Sequence, residues 1–360
     1  MTSLDFLVDR DDLRHTQWRE TSLPALAAGQ ALVKIDRFAL TANNITYAAF
    51  GVAMRYWDFF PAPEGFGRVP VWGYAEVIES LAPGLAVGER IYGYWPMSSH
   101  LILNVAKITD SGFTDASPWR ADLAAVYNQY RRGPGEAGSA PALEAARSLL
   151  WPLFMTAFLI DDFLDDNGFF GAKSVILSSA SSKTALGLAY VMHRAARPGV
   201  EIVGLTSPAN AAFVADTGYY DRVVLYDDIG GMPQQASAFV DMAGSEAVRT
   251  AVHHRLADNL THSLAVGGTH WEAPRSGAEL PGPKPSMFFA PAQIQKRNTD
   301  WGRGGLDARY APVWSDFLLS TQSWLKVRER RGRQAVEETY LAVLEGRTPP
   351  AEGQMLSVNA

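Results

Sequence analysis

The spacing of apolar positions changes along the chain, and each change marks a different kind of element. Up to about residue 125 the apolar residues mostly alternate, the period of a half-buried strand. "ALVKIDRFALT" (31–41), "VWGYAEVIES" (71–80), "ERIYGYWP" (89–96) and "SHLILNVAKI" (99–108) read as strands, and "LAPGLAVGE" (81–89) carries the Pro and Gly of a turn between two of them. From 120 the pattern becomes helical. "ADLAAVYNQYRR" (121–132) is expected as a helix, "RGPGEAGSAP" (132–141) as a loop, and "ALEAARSLLWPLFMTAFLIDDFLDDNGFF" (142–170) as a helix bent or broken at Pro152. Between 174 and about 290 short apolar runs alternate with helical ones. "SVILSSA", "EIVGLTS", "RVVLYDD" and "THSLAVGGT" are strands; "KTALGLAYVMHRAA", "PANAAFVADTG" and "SEAVRTAVHHRLADN" are helices. Such alternation predicts a parallel sheet covered on both faces. Beyond 300 two helices and a last strand, "GQMLSV", are expected.

Composition narrows the class. With 360 residues, 47% hydrophobic and 19% charged, the chain has a globular composition and suits about two domains. A net charge of −6 gives no basic face for nucleic acid. No cysteine is present, so disulfides and thiolate zinc sites are excluded. The first twenty residues are charged, unlike a signal peptide, and no uninterrupted apolar run reaches membrane-spanning length, about 18 residues. The expectation is a soluble cytoplasmic protein with a small-molecule substrate, no nucleic-acid or membrane partner, and a homodimer left open.

The candidate chemistry begins in the turn after "SVIL". In a parallel sheet, ligands bind beyond the carboxyl ends of the strands, and a pyrophosphate meets the first helix N-terminus. The G-x-G-x-x-G fingerprint is absent there. Ser179, Ser181, Ser182 and Ala185 are small instead, and Lys183 and Thr184 add a cation and a donor. The same residues would also serve as a capped helix start, and these two readings stand side by side; a phosphate loop of the G-x-x-x-x-G-K type lacks its frame. At the end of the second strand, near Leu205, no Asp or Glu is available for a ribose hydroxyl. Thr206, Ser207 and Asn210 stand there and suit a 2′-phosphate, which favours NADP(H) over NAD.

At this point the chain resembles the medium-chain dehydrogenase/reductase superfamily, in its zinc-independent quinone-oxidoreductase-like branch, and is similar to a bacterial domain-of-unknown-function family. "AVGERIYGY" (86–94), "ALVKIDRFALTANNITYAAFG" with its Tyr47-to-Gly51 ending, "PLFMTAFL" (152–159), "DTGYYDRVVLYDD", "SLAVGGT" and "LEGRTPP" (344–350) carry the resemblance. It implies an α/β fold: a GroES-like β-rich catalytic domain over 1–150 and 291–360, and a Rossmann-like doubly wound parallel sheet over 151–290. It implies no metal, with reduction resting on hydride transfer and a protein proton donor. Tyr47 matches a tyrosine of that branch, with Asn43 and Asn44 in the preceding loop, and Tyr226 joins the cofactor side.

"VGGTHWE" (266–272) ends a strand at the ligand edge. Gly267 and Gly268 allow backbone approach to a ring, Thr269 suits a carboxamide, and His270 titrates in a useful range, although a surface-loop histidine fits as well. Gln293, Lys296 and Arg297 either anchor an anion or form a solvated basic cluster. His253 and His254 read as solvated helix residues. "VYNQY" (126–130) either lines a substrate cavity or packs a helix. The expected activity is NADPH-dependent, zinc-free reduction of a conjugated carbonyl such as an enone or quinone. The alternatives are C–C or C–X cleavage with transient hydride transfer on the same scaffold, and NADP(H) binding without turnover.

Overall fold

The structure is a computed structural model and describes residues 1–133, 141–267 and 280–359. In chain order the elements are β1 (Thr2–Asp9), β2 (Thr16–Ser22), β3 (Gln30–Leu40), α1 (Ala42–Ala49), β4 (Phe66–Gly67), β5 (Pro70–Ser80), β6 (Arg90–Pro96), β7 (His100–Thr109), β8 (Gly112–Asp115), β9 (Gln129–Arg132) and α2 (Pro141–Asp166). There follow β10 (Ser174–Leu177), α3 (Lys183–Ala195), β11 (Glu201–Thr206), α4 (Pro208–Asp216), β12 (Arg222–Leu225), β13 (Ser237–Asp241), α5 (Glu246–Leu256), β14 (Leu260–Ala265) and β15 (Ser286–Met287). The chain ends with α6 (Ala290–Trp301), α7 (Gly305–Thr321), β16 (Lys326–Arg331), α8 (Arg333–Leu344) and β17 (Glu352–Ser357). It divides into two compact units, Met1–Leu149 with Lys326–Ala360, and Leu150–Leu325.

The first unit is built on β. Strands β3, β5, β6, β9, β8 and β7 follow one another by hydrogen bonding, and a further β3–β7 pairing closes the ring into a barrel. Strands β17 and β16 extend it from β3, and β2-β1-β4 form a separate small sheet. Inward positions are bulky and aromatic: Trp72 lies opposite Tyr94, and Tyr74 opposite Tyr92, on β5 and β6. Two motif glycines make room for rings. A Cβ at Gly93 would lie 2.2 Å from the Tyr130 ring, and one at Gly51 would lie 2.1 Å from the Trp57 indole.

The second unit holds a six-stranded sheet in the order β12-β11-β10-β13-β14-β15, every neighbouring pair parallel. Numbered from β10, this is the 3-2-1-4-5-6 order of the doubly wound dinucleotide fold. Its inner strands are continuous apolar runs because both faces are covered: all of β10 and β13 is buried. Helix α3 turns Leu186, Leu188, Ala189, Val191 and Met192 inward. Gly187 lets it approach α2 closely, since a Cβ there would sit 3.1 Å from Phe154.

Several expectations are corrected. Residues 121–132 form a short turn at Ala125–Asn128 and then strand β9, because Tyr130 is drawn into the barrel, stacked on Phe113 and bonded to the Tyr94 carbonyl at 2.9 Å. Helix α2 runs unbroken through Pro152, with buried Leu149, Leu150, Leu153 and Phe154 on either side holding it. Its length and composition would suit a membrane span, but 61% of its most apolar window is buried inside the protein, as in a core helix. Gln293, Lys296 and Arg297 lie on helix α6. It belongs with α7 to the second unit, so the boundary expected at 290/291 falls at 325/326. Packing explains this: Arg297 bonds Asp162, and Phe317 stacks on Phe154 with ring centroids 4.2 Å apart. Strand β16, entirely exposed, was not anticipated. The loop expected over 132–141 falls mainly on residues 134–140, outside the described residues.

Candidate functional site

In the second unit the register sets the site's edge. Leu177 lies beside Gly204 and Val240, and Thr206 beside Leu225. The carboxyl ends of four strands therefore bring Ser178–Ser179, Ser207, Tyr226 and Asp241 to one rim. Gly267 ends the next strand at the same rim. A Cβ there would meet the Met242 carbonyl at 2.3 Å, so this backbone approach needs glycine.

The turn after β10 does without glycine at a strained position. Ser179 has φ +50°, in the left-handed region that normally favours glycine. Neighbours hold it there. The Ser179 N–H donates to the Tyr226 hydroxyl at 3.1 Å, the Ala180 N–H to the Leu205 carbonyl at 3.0 Å, and the Tyr220 hydroxyl to the Ala180 carbonyl at 2.8 Å. Below it, the Ser178 hydroxyl donates to buried Asp241 at 2.8 Å and accepts from the Ala243 N–H at 3.0 Å. Arg249 bonds the other oxygen of Asp241 at 2.7 Å. Ser182 caps α3, its hydroxyl accepting from the Ala185 N–H at 3.3 Å. The Asn210 amide donates to the Ser181 hydroxyl at 3.2 Å, tying α4 to the turn. Burial raises the Tyr226 phenol above its usual range, so it stays protonated. Having accepted from Ser179, that hydroxyl still carries its own hydrogen to donate.

In the first unit, α1 presents Tyr47. The helix starts in a capping box: the Asn44 Oδ1 accepts from the Thr41 N–H at 2.8 Å. The Asn44 amide donates to the Pro70 carbonyl at 2.9 Å. Ile45, Tyr47 and Ala48 then face inward. Tyr47 enters a nest of rings drawn from three other segments: its centroid lies 4.5 Å from Tyr56, 5.7 Å from Tyr94 and 6.3 Å from Tyr127. Phe59 and Trp72 complete the wall around Tyr127, at 5.3 and 6.0 Å. Burial raises the Tyr47 phenol above the usual tyrosine range, while the side chains of Trp72, Asn43 and Tyr127 pull it partly back. The Tyr94 hydroxyl is buried and, among the described residues, has no partner within hydrogen-bond distance. Arg120, 1% exposed, clamps the segments carrying Tyr56 and Tyr127. It bonds Asp115 at 2.9 Å, the Tyr130 hydroxyl at 3.0 Å and the Phe59 carbonyl at 3.0 Å.

The family described as Protein of unknown function (DUF2855) matches residues 38–349. The chain belongs to this family. No curated protein matches the sequence. Among solved structures, CurA from Vibrio vulnificus is similar, with 13% identity over 100% of this chain and 99% of that one, and a TM-score of 0.65. CurA in complex with NADPH, from the same organism, gives 13% identity over 96% and 94%, and a TM-score of 0.63. A mutant form of enoyl thioester reductase from Candida tropicalis gives 13% identity over 99% of each chain, and a TM-score of 0.60. At these identities the likeness shows the fold alone, a β-rich barrel domain and a Rossmann-like sheet.

Within this DUF2855 chain the anticipated residues separate by role. Ser179, Ser181, Ser182, Lys183, Thr184, Ser207, Asn210 and Tyr226 come together at or beside the first turn, and Gly267 shares its rim. Thr206 is 1% exposed, so its side chain belongs to the core and not to a phosphate. Asn44 is committed to the start of α1 and is a positioning residue, whereas Asn43 and Tyr47 face each other. Gly268, Thr269 and His270 lie outside the described residues. Gln293 and Arg297 are buried and bond Asp162, whereas Lys296 is exposed, as the solvated reading expected, and pairs with Asp166 and Asp300; with these acids around them the three do not form an anion anchor. His253 is buried, with one ring nitrogen on the Pro281 carbonyl and the other on the Ser263 hydroxyl. Among the described residues no group of three or more His, Asp or Glu could hold a metal ion. Sequence reasoning missed Tyr56, Tyr94, Trp72 and Arg120. The alternation Tyr92-x-Tyr94 opposite Trp72-x-Tyr74 was the available signal for a ring-lined barrel face.

Proposed function

We propose that this protein is an NADPH-dependent reductase of a C=C bond conjugated to a carbonyl, an enone, quinone or enoyl thioester, with Tyr47 as proton donor. The observation that carries the reading is the buried, protonated Tyr47 phenol in a nest of rings, on a chain whose other unit has the 3-2-1-4-5-6 sheet with a left-handed first turn. The solved relatives that bind NADPH or act on enoyl thioesters support the same class.

The residues fit the cofactor. The start of α3, with Ser182 and Lys183, faces where a pyrophosphate rests in this fold, and Tyr226 keeps a hydrogen to donate. Ser207 makes no capping bond with its side chain, and the sequence carries no Asp or Glu between Ile202 and Ala215 that would stand where an NAD site puts its ribose-binding acid. NADPH, when bound, supplies hydride. The chain supplies the rest: Asn43 and Trp72 face the Tyr47 oxygen, and the phenol, kept neutral by burial, has a proton to give to the α-carbon.

The experiment is NADPH oxidation at 340 nm with a panel of enones, quinones and enoyl thioesters, together with NADPH and NADH fluorescence titrations. Turnover with at least one acceptor is expected, with NADPH bound about tenfold more tightly than NADH, a difference of about 1.4 kcal/mol. NADPH binding without turnover on any acceptor would replace the reductase reading with that of a binding protein. Equal affinities would refute the phosphate assignment.

A further inference from the structure

Next to the tyrosine nest, the same face of the sheet carries a positive corner. Tyr92 and Tyr94 stand two apart on β6, on the order of 7 Å along the strand, so both rings leave one face. The Trp72 ring bridges them, 5.0 Å from Tyr94 and stacked on Tyr92 at 5.7 Å. Tyr94 borders Tyr47, and Tyr92 lies one step further along. Two arginines meet at Tyr92. Arg131 stands directly opposite it on β9, and Arg147 from α2 lies over its ring, with the guanidinium carbon 4.9 Å from the centroid.

An arginine set among buried rings is usually matched by a carboxylate. Glu144 stands one turn earlier on α2, but its Oε1 accepts from Arg90 at 2.6 Å, and its Oε2 from Arg37 at 2.9 Å and Arg90 at 2.7 Å. Asp36 is held by Arg90, and Glu329 by Arg37. Among the described residues Arg147 has no carboxylate partner, and its Nε is buried without a hydrogen bond. The residue is nevertheless partly exposed. The ring beneath the guanidinium fixes its plane, which leaves the N–H edge for a flat acceptor with two oxygens.

We propose that Arg147 binds a carboxylate carried by the acceptor, with Arg131 adding positive charge at the same place; this rests on the reductase reading above. The substrate class is then a conjugated carbonyl compound with a carboxylate at a distance from its C=C. The C=C lies beside Tyr47, and the carboxylate accepts from the Arg147 N–H groups. The chain between them runs past Trp72 to Tyr92, so a carboxylate attached directly to the C=C falls short.

The test uses the full chain, NADPH and vinyl ketones that bear an ω-carboxylate on chains of increasing length, each beside its methyl ester. In the wild type, kcat/KM for an acid long enough to pass Trp72 exceeds that for its ester by about tenfold or more. The difference lies in KM, weakens as salt is added, and is absent for the shortest acid. Arg147→Met, which keeps an unbranched side chain over Tyr92, lowers kcat/KM about tenfold more for the long acid than for its ester. An equal loss for acid and ester assigns Arg147 to packing on Tyr92 and overturns the anchor. Equal use of acids and esters of every length by the wild type, or turnover of other enones and quinones but of none of the acids, overturns the anchor and leaves the reductase reading standing. No NADPH oxidation with any of these acceptors overturns the reductase reading and the anchor with it.

Discussion

Replacing Ser179 with glycine is expected to stabilise the protein, an unusual outcome for a substitution to glycine. At φ +50° a residue with a Cβ crowds its own backbone, at a cost of about 1–2 kcal/mol. Glycine removes that crowding but adds freedom to the unfolded chain, which returns about 0.4–1 kcal/mol. The net gain is about 0.5–1 kcal/mol. The contacts around the turn survive the change because they use backbone atoms: the Ser179 N–H on Tyr226, and the Ser179 carbonyl accepting from the Ser182 N–H at 2.8 Å. The assay is urea unfolding followed by far-UV circular dichroism, taking the transition that carries the second unit, since a chain of two units need not unfold in one step. For a unit of this size the midpoint should rise by about 1–4 °C in a thermal scan. Ser181→Gly is the control. Ser181 is not in the left-handed region and accepts from Asn210, so glycine there should destabilise. A neutral or destabilising Ser179→Gly, or equal effects at both positions, would refute the idea that the turn stores strain.

Two further outcomes follow from packing and charge. Gly204→Ala would place a methyl 2.8 Å from the Tyr220 ring and 2.9 Å from the Ala180 Cβ, at a cost of about 1–3 kcal/mol, and adding Tyr220→Val should restore part of the loss in denaturant unfolding. Arg297→Met removes charged hydrogen bonds to Asp162, Asp166 and Asp300 and should cost about 1.5–3 kcal/mol at pH 7, nearly all from Asp162, because the other two carboxylates are exposed. Lys296 and Arg297 hold the Asp166 and Asp300 carboxyls below the usual carboxylate range. Their contribution is therefore present above about pH 4 and is lost as pH falls through their folded values. Stability of Arg297→Met should fall less steeply than that of the wild type between about pH 5 and pH 3, and parallel curves would refute the assignment.

The sequence pattern was most informative where one period rules. From Ser174 to Ala265 the apolar runs and helical stretches alternate as the parallel sheet requires, and every expected strand and helix there is present, although the central strand β13 was not among those expected. It failed where tertiary contacts override local preference. Residues 121–132 have a helix-compatible pattern, but Tyr130 is worth more inside the barrel, stacked on Phe113, than on a helix face. "KVRERR" has no apolar alternation because β16 lies at a sheet edge and buries neither face, and such charge on an edge discourages pairing with other chains. The tyrosine nest was only partly visible for a related reason. Tyr47, Tyr56, Tyr94 and Tyr127 come from four separate segments, and only the barrel's register and the Arg120 clamp bring them together.

The glycine-less turn shows what a fingerprint requires physically. Ser179, Ser182 and Ala185 are three of the small residues that stand in this turn, where a dinucleotide turn would be expected to carry glycines. Only Ser179 takes a left-handed conformation; Ser182 is extended at φ −70°, ψ 146°, which suits any residue and lets its hydroxyl cap the helix. Ala185 is fully buried, so its methyl is accommodated. The need for close approach is met one strand away, where Gly204 leaves room for Tyr220 to reach the Ala180 carbonyl. Of the three small residues, then, one is strained and braced by Tyr226 from outside the turn, and the other two adopt conformations that do not require glycine. A search for glycines would reject this turn, whereas a search for one braced left-handed residue at the end of the first strand would find it.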